Sequence, residues 1–258
     1  MSQAIQITAI KAFTDNYIWC LHDGQSAVVV DPGDAEPVLD FLSSQNLHLS
    51  AILITHHHFD HTGGILNLQQ AIPHLRVIGP YNEKIKGINE KVAQGDSVSL
   101  FDKTLALEVL ETPGHTMDHI AFYNTQWLFC GDTLFSAGCG RMFEGTPEVF
   151  LSSLDKLSAL NADTKIYCTH EYTLANLKFA RELLPEHTAL KDYEQWAKRQ
   201  RAQDAITLPS SIDEQKRINP FLFCHDADFQ SLMAEKLQQT LHGAVDTFAA
   251  LRLAKDNF

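Results

Sequence analysis

The sequence predicts a mixed α/β unit followed by a helical one, and three observations carry that prediction. Up to about residue 170 the chain consists of short β-branched or apolar runs punctuated by Gly, Pro and Asp. Stretches with helical periodicity alternate with those runs. Beyond His170 the strand pattern stops and helical patterns take over.

The runs, in chain order, are "IQITAI", "YIWCL", "AVVV", "AILIT", "RVIG", "SVSL", "LALEVL", "IAFYN", "WLFC" and "KIYC". Each has the length and residue types of a single strand. Helices are expected between them near residues 36–44, 64–70 and 147–159. The last opens with Thr146 as a cap and Pro147 in the first turn, where a missing N–H breaks no helical bond. After residue 170 the helical segments are "LANLKFARELL", "EHTALKDYEQWAKRQRAQDA", "SSIDEQKRI" and the long stretch from "DFQSLM" to "LAKD". Pro185, Pro209, Pro220 and Gly243 supply the breaks. The expected division is therefore a first domain over 1–170 and a helical one over 171–258.

A chain of 258 residues, 45% hydrophobic, is large enough to bury a substantial core. Its net charge of -12 argues against nucleic acid or an anionic membrane as partner. The N-terminus lacks a basic stretch followed by an apolar one, and no run is long enough to cross a bilayer. Five cysteines without a C-x-x-C pair suit reduced thiols better than a disulfide framework. A soluble, cytoplasmic monomer is the expectation.

The densest chemistry lies in "THHHFDH", residues 55–61, directly after the apolar run "AILI". His56 and His58 are two apart and project to the same side of an extended segment, whereas His57 points away. Asp60 and His61 follow as the chain turns toward Gly63 and Gly64. Three more donors stand just beyond predicted strands or the turns after them: His115 in "TPGHT", Asp132 in "GDTLF" and His170 in "THEYT". Loops at strand ends of layered α/β proteins commonly gather into one site.

A lone histidine is usually an ordinary surface or hydrogen-bonded residue, but a compact H-x-H-x-D-H cluster after a buried run is a metal-ligand pattern. Seven nitrogen and carboxylate donors exceed one tetrahedral zinc and suit two metals sharing a carboxylate. Zinc fits these donors, as do iron and manganese. Two residues stay open: Asp31 in "VVVDPGD" either braces a ligand or caps the Pro32-Gly33 turn, and His119 is a candidate to support a ligand. Cys139 and Cys168 are read as small buried hydrophobes.

The motifs "THHHFDH", "TPGHT", "GDTLF" and "THEYT" resemble the metallo-β-lactamase superfamily, and within it the glyoxalase II (hydroxyacylglutathione hydrolase) family, over essentially the whole chain. The resemblance implies an αββα sandwich with a two-metal centre at one edge and a C-terminal helical domain that helps hold glutathione. One metal is then held by His56, His58 and His115, the other by Asp60, His61 and His170, with Asp132 between them. Asp60 also orients the nucleophile. His61 separates the chain from the true β-lactamases, which usually vary that position.

For substrate the resemblance points to Arg141 and Phe143 in "GCGRMFEGT", Tyr172 in "THEYT", and Arg252 and Lys255 in "LRLAKDNF". The better-known eukaryotic members have lysine and tyrosine where Arg141 and Phe143 stand, so one hydroxyl contact is missing here. Arg252 and Lys255 are three apart and share a helix face, which serves a carboxylate clamp or simply complements the helix dipole.

The implied reaction is hydrolysis of a glutathione thioester such as S-D-lactoylglutathione by water ionised between two divalent metals, most simply Zn2+. The alternative within the superfamily is a glutathione persulfide dioxygenase with one iron. A superfamily nuclease conflicts with the acidic charge and the lack of a basic, aromatic-rich groove. Metal binding without catalysis is the third reading.

Overall fold

The computed structural model describes residues 4–258, so the first residues of the expected 1–170 domain lie outside the described residues. The chain forms two compact units. One runs up to Glu111 and takes in Asp118–Gly131; the other comprises Thr112–Met117 and Asp132–Phe258.

The first unit begins with β1 (Gln6–Ala12), β2 (Asn16–His22) and β3 (Ser26–Val30), an antiparallel meander whose register pairs Ile10 with Ile18 and Cys20 with Val29. Helix α1 (Glu36–Gln45) carries the chain over to β4 (His48–Leu53), which lies parallel to β3. After α2 (Phe59–Thr62) and α3 (Ile65–Ala71), strand β5 (Arg76–Gly79) and the short β6 (Glu90–Lys91) extend the parallel part. The sheet runs in the order β1 to β6.

Val28, Val29, Ile52 and Leu53 are fully buried, so β3 and β4 are covered on both faces, as unbroken apolar runs require. Ile18, Val29, Ile52, Ile54, Val77 and Leu68 share one core with α1 and α3. Burying this apolar area is the main favourable term in folding. It also fixes where β4 must end, and hence where "THHHFDH" begins.

A second, antiparallel set follows: β7 (Ser97–Leu100), β8 (Leu105–Glu111), β9 (Ile120–Tyr123) and β10 (Trp127–Gly131). Burial alternates along β7 and along β8 up to Val109, leaving one face wet, whereas Leu128 to Cys130 in β10 are fully buried.

The second unit contains the hairpin β11 (Leu134–Phe135) and β12 (Gly138–Cys139), then α4 (Pro147–Ser158). As expected, Thr146 caps α4, its side chain accepting from the Val149 N–H, with Pro147 in the first turn. Strand β13 (Lys165–Cys168) precedes α5 (Thr173–Leu183) and α6 (Thr188–Ala202). The chain ends in α7 (Ile212–Ile218), α8 (Ala227–Leu237) and α9 (Ala244–Asp256).

Strand structure does not stop at His170 as expected. Ser210 and Ser211 form β14, pairing with Ile166 and Lys165 of β13. Ser211 is extended because it caps α7, its hydroxyl accepting from the Glu214 N–H, and that geometry also serves a strand pair. Among the described residues no helix is long and apolar enough to cross a membrane.

Candidate metal centre

The donors of the first unit hang from the end of β4. Ile54 still belongs to the ladder, its N–H donating to Ile78 O at 2.8 Å; Thr55 then leaves the sheet. Asp31 ends β3 on the neighbouring strand, with φ at +53°, a conformation aspartate tolerates better than most residues. Its Oδ1 accepts from Thr55 N and its Oδ2 from Thr55 Oγ1, both at 2.8 Å. Its backbone carbonyl closes the Pro32-Gly33 turn by accepting from Gly33 N. Of the two readings left open by its sequence context, the side chain takes the bracing one, and only the backbone carbonyl serves the turn.

These bonds fix histidine tautomers. The Thr55 hydroxyl proton goes to Asp31, so Thr55 Oγ1 accepts from His56 Nδ1 at 3.0 Å, and the His56 Nε2 lone pair is left to face outward. His61 Nδ1 lies 3.0 Å from Asp31 Oδ2, which sets the His61 ring in the same way. A carboxylate behind a ligand histidine is the usual device for orienting it. His56 Nε2 stands 3.0 Å from His58 Nδ1, so the extended H-x-H pair brings two nitrogens to one point.

His58 is still extended at ψ 147° and starts α2, the helical turn that carries Asp60 and His61. The expected change from extended to turned backbone thus falls inside the heptapeptide. Asp60 Oδ2 accepts from Asn16 Nδ2 at 3.0 Å and lies 3.5 Å from His61 Nε2. Gly33 packs so closely beneath this turn that a Cβ there would stand 1.9 Å from Asp60 O. His57 does turn away, but with a task of its own: its Nδ1 meets Asp118 Oδ1 at 2.8 Å, and Asn82 Nδ2 donates to Asp118 Oδ2. His119 stacks on His56 at 4.7 Å and 21°.

The second unit supplies His115, Asp132 and His170, all buried. His115 Nδ1 is 2.8 Å from Arg141 O, a carbonyl that can only accept, so His115 carries its proton there. Its Nε2 then faces Asp132 Oδ2 at 3.5 Å, and His170 Nε2 faces the same oxygen at 3.3 Å. For neutral His115 this sets acceptor against acceptor, repulsive unless a cation lies between. Tetrahedral donors about 2.1 Å from one ion stand roughly 3.4 Å apart, the spacing seen here. The residues fit metal, and the described chain holds clustered His and Asp donors able to bind it.

The expected substrate residues all lie in this second unit. Tyr172 stacks flat on His170, 4.6 Å apart and within 5° of parallel. Phe143 is exposed and stands edge-on to His115 at 5.3 Å, with the Arg141 guanidinium 5.9 Å from its ring. Arg252 and Lys255 diverge. Arg252 is 5% exposed and donates to Cys139 O at 3.0 Å and Gly140 O at 3.3 Å. Lys255 lies over the rings of Phe179 and Phe258 and donates to Ala175 O. Burial, with the charge of Arg252 beside it, pulls the Lys255 pKa below the ordinary lysine value. Burial pushes the Cys139 thiol up to about 11, which leaves it no nucleophile.

Apart from Asp31 and His119, sequence reading missed the groups behind the donors. Asn16 and Asp118 carry no motif, and a backbone carbonyl such as Arg141 O carries no sequence signal at all. Gln215 in α7 and Asn219 just after it look like surface residues, yet both are fully buried. Asn219 Nδ2 donates to Gly138 O at 2.8 Å and Phe135 O at 3.2 Å, while Gln215 Oε1 accepts from Ala137 N. Together they hold the hairpin between Asp132 and Arg141.

Residues 14–170 match the model of the metallo-β-lactamase superfamily, the class of metal-dependent enzyme that this fold and donor set define. Residues 171–258 match the model of the hydroxyacylglutathione hydrolase C-terminus. The hydroxyacylglutathione hydrolase of Photobacterium profundum is 49% identical over 255 residues, covering 98% of this chain and 100% of the relative. That of Nitrosomonas eutropha is 48% identical over 256 residues, covering 98% and 99%. The crystal structure of ETHE1 from Myxococcus xanthus shares the fold, with a TM-score of 0.65, 23% identity, and coverage of 98% of this chain and 100% of that one. The chain belongs to the hydroxyacylglutathione hydrolase (glyoxalase II) family and is an enzyme of the hydrolase class. An α/β sandwich with a C-terminal helical domain is its fold class.

Proposed function

We propose that the chain hydrolyses S-D-lactoylglutathione and related 2-hydroxyacylglutathiones to glutathione and the free hydroxy acid, D-lactate in the first case. This is the second step of the glyoxalase route that removes methylglyoxal. The observation carrying the reading is the pair of nitrogens, His115 Nε2 and His170 Nε2, facing one oxygen of Asp132 at 3.5 and 3.3 Å. Near-complete coverage of the curated hydrolases supports the choice of substrate.

In this reading His56, His58 and His115 hold one divalent cation, Asp60, His61 and His170 the other, and Asp132 serves both. Zinc is the first choice for such donors, with iron and manganese as the other candidates. Bound there, the cations supply ionised water near neutral pH and positive charge for the developing oxyanion. Asp31 and Thr55 keep His56 and His61 in the ligating tautomer. Asp60, steadied by Asn16, orients the attacking group. The glutathione thiolate, with a parent pKa of about 8.5, leaves without a proton, so no side chain need act as general acid.

Arg141, Phe143, Tyr172, Arg252 and Lys255 form the glutathione side, Lys255 and Arg141 offering charge to carboxylates and Tyr172 a flat face beside His170. Catalysis belongs to residues 1–170 and much of substrate binding to 171–258. Five free, buried cysteines support a reducing cytoplasm as the place of work, and a monomer suffices.

The test is an anaerobic assay on S-D-lactoylglutathione with metal analysis of the same sample. Stoichiometric glutathione and D-lactate, with two metals per chain, is the expected result. Turnover that needs oxygen and tracks a single iron would replace this reading with the dioxygenase one.

A further inference from the structure

Asp256, the last residue of α9, lies between two guanidinium groups. Its Oδ1 accepts from Arg252 Nη2 at 3.0 Å and from Arg141 Nε at 3.2 Å. Arg252 is held on several sides: it is buried, its other arm donates to the carbonyls of Cys139 and Gly140, and its guanidinium lies 5.2 Å from the Phe221 ring. Arg141 is the opposite case, a long side chain 56% exposed, with many rotamers open to it. Its bond to Asp256 uses Nε, which leaves the two terminal amino groups to meet an anion.

A carboxylate in a corner meant for an anionic ligand weakens binding through like-charge repulsion, unless it does something the cations cannot. What it does here is geometric. The buried Arg252 fixes Asp256, Asp256 fixes Arg141, and Arg141 comes to rest beside Phe143 at the edge of His115. With Arg141, Arg252 and Lys255 all present, the corner keeps a net positive charge.

We propose that Asp256 is a positioning residue for glutathione thioesters, holding the Arg141 guanidinium in the orientation that receives a carboxylate of the glutathione moiety. The proposal rests on the reaction assigned above. It makes the end of α9 a specificity element, acting through Arg141 on binding and leaving the chemistry alone.

The experiment compares S-D-lactoylglutathione with the lactoyl thioester of N-acetylcysteamine, which carries no carboxylate, using the full-length metal-loaded enzyme and its Asp256→Asn, Arg141→Ala and doubly substituted forms. Asp256→Asn should raise KM for the glutathione thioester about tenfold while kcat holds, the pattern of lost uniform binding. The preference for the glutathione thioester, read as the ratio of the two kcat/KM values, should fall by the same factor. Glutathione itself should bind more weakly by calorimetry. With Arg141 already replaced, Asp256→Asn should add less than about twofold, because the two residues act as one unit. Tighter binding in Asp256→Asn, an equal loss on both thioesters, or a full effect without Arg141 would each overturn the proposal. A wild-type enzyme inert toward glutathione thioesters would bring down the assigned reaction first, and this inference with it, before any variant is made.

Discussion

Asp31 Oδ2 lies 3.0 Å from His61 Nδ1, and both side chains are buried. The same carboxylate holds Thr55, which holds His56, so one residue sets two histidine rings.

Replacing Asp31 with Asn keeps the size and the tolerance of positive φ but removes the charge that binds the imidazole proton. Losses of ten- to a hundredfold in metal affinity are typical for such partners, and about tenfold or more is expected here. Competition against a chelator of known affinity measures it. Unchanged affinity would remove Asp31 from the site.

Asp60→Ala should take one metal from the chain and most of the turnover with it. Metal content by mass spectrometry, read alongside kcat, tests both parts. Two metals retained with full activity would contradict the ligand role.

Lys255 reads out in pH. Burial and Arg252 favour its neutral form, so its charge is lost as pH rises, below the ordinary lysine value of about 10.4. KM for a glutathione thioester should therefore climb on the alkaline side before an exposed lysine would titrate. Lys255→Arg, charged throughout, should flatten that climb.

Asn219→Ala leaves the buried carbonyls of Phe135 and Gly138 without their Nδ2 donor. The expected loss is about 2–3 kcal/mol of stability, from the shift in urea midpoint at unchanged slope. A shift within a few tenths would mean that the hairpin does not depend on Asn219.

Burial holds the thiols of Cys20 and Cys139 up to about 12 and about 11, and every cysteine is free and buried. Native protein at pH 8 should therefore take up no iodoacetamide, while unfolded protein takes up five equivalents. Intact mass decides between the two.

Strand positions were legible wherever an apolar run stood between turn residues, from "YIWCL" to "KIYC". The pieces that escaped, β6, β11, β12 and β14, have two residues each. Two residues show no periodicity, and such pairs form only when a neighbouring strand presents open hydrogen-bonding groups. The candidate donors stood out for a different reason: their side-chain chemistry is distinctive and four of them lie within six residues of chain. Arg252 shows where that logic ends. Residue type marked it as a cation for an anionic ligand, and gave no sign that its side chain is buried with one arm on the carbonyls of Cys139 and Gly140.

The sequence by itself determined the order of the longer strands and helices, the candidate donors and the acidic character of the chain, since these follow from residue type and local spacing. Tertiary structure alone decided which histidine nitrogen keeps its proton, which carboxylate braces it, and which arginine is buried. Those depend on hydrogen bonds between residues as far apart as His115 and Arg141, or Arg141 and Asp256, and only chain packing sets such distances.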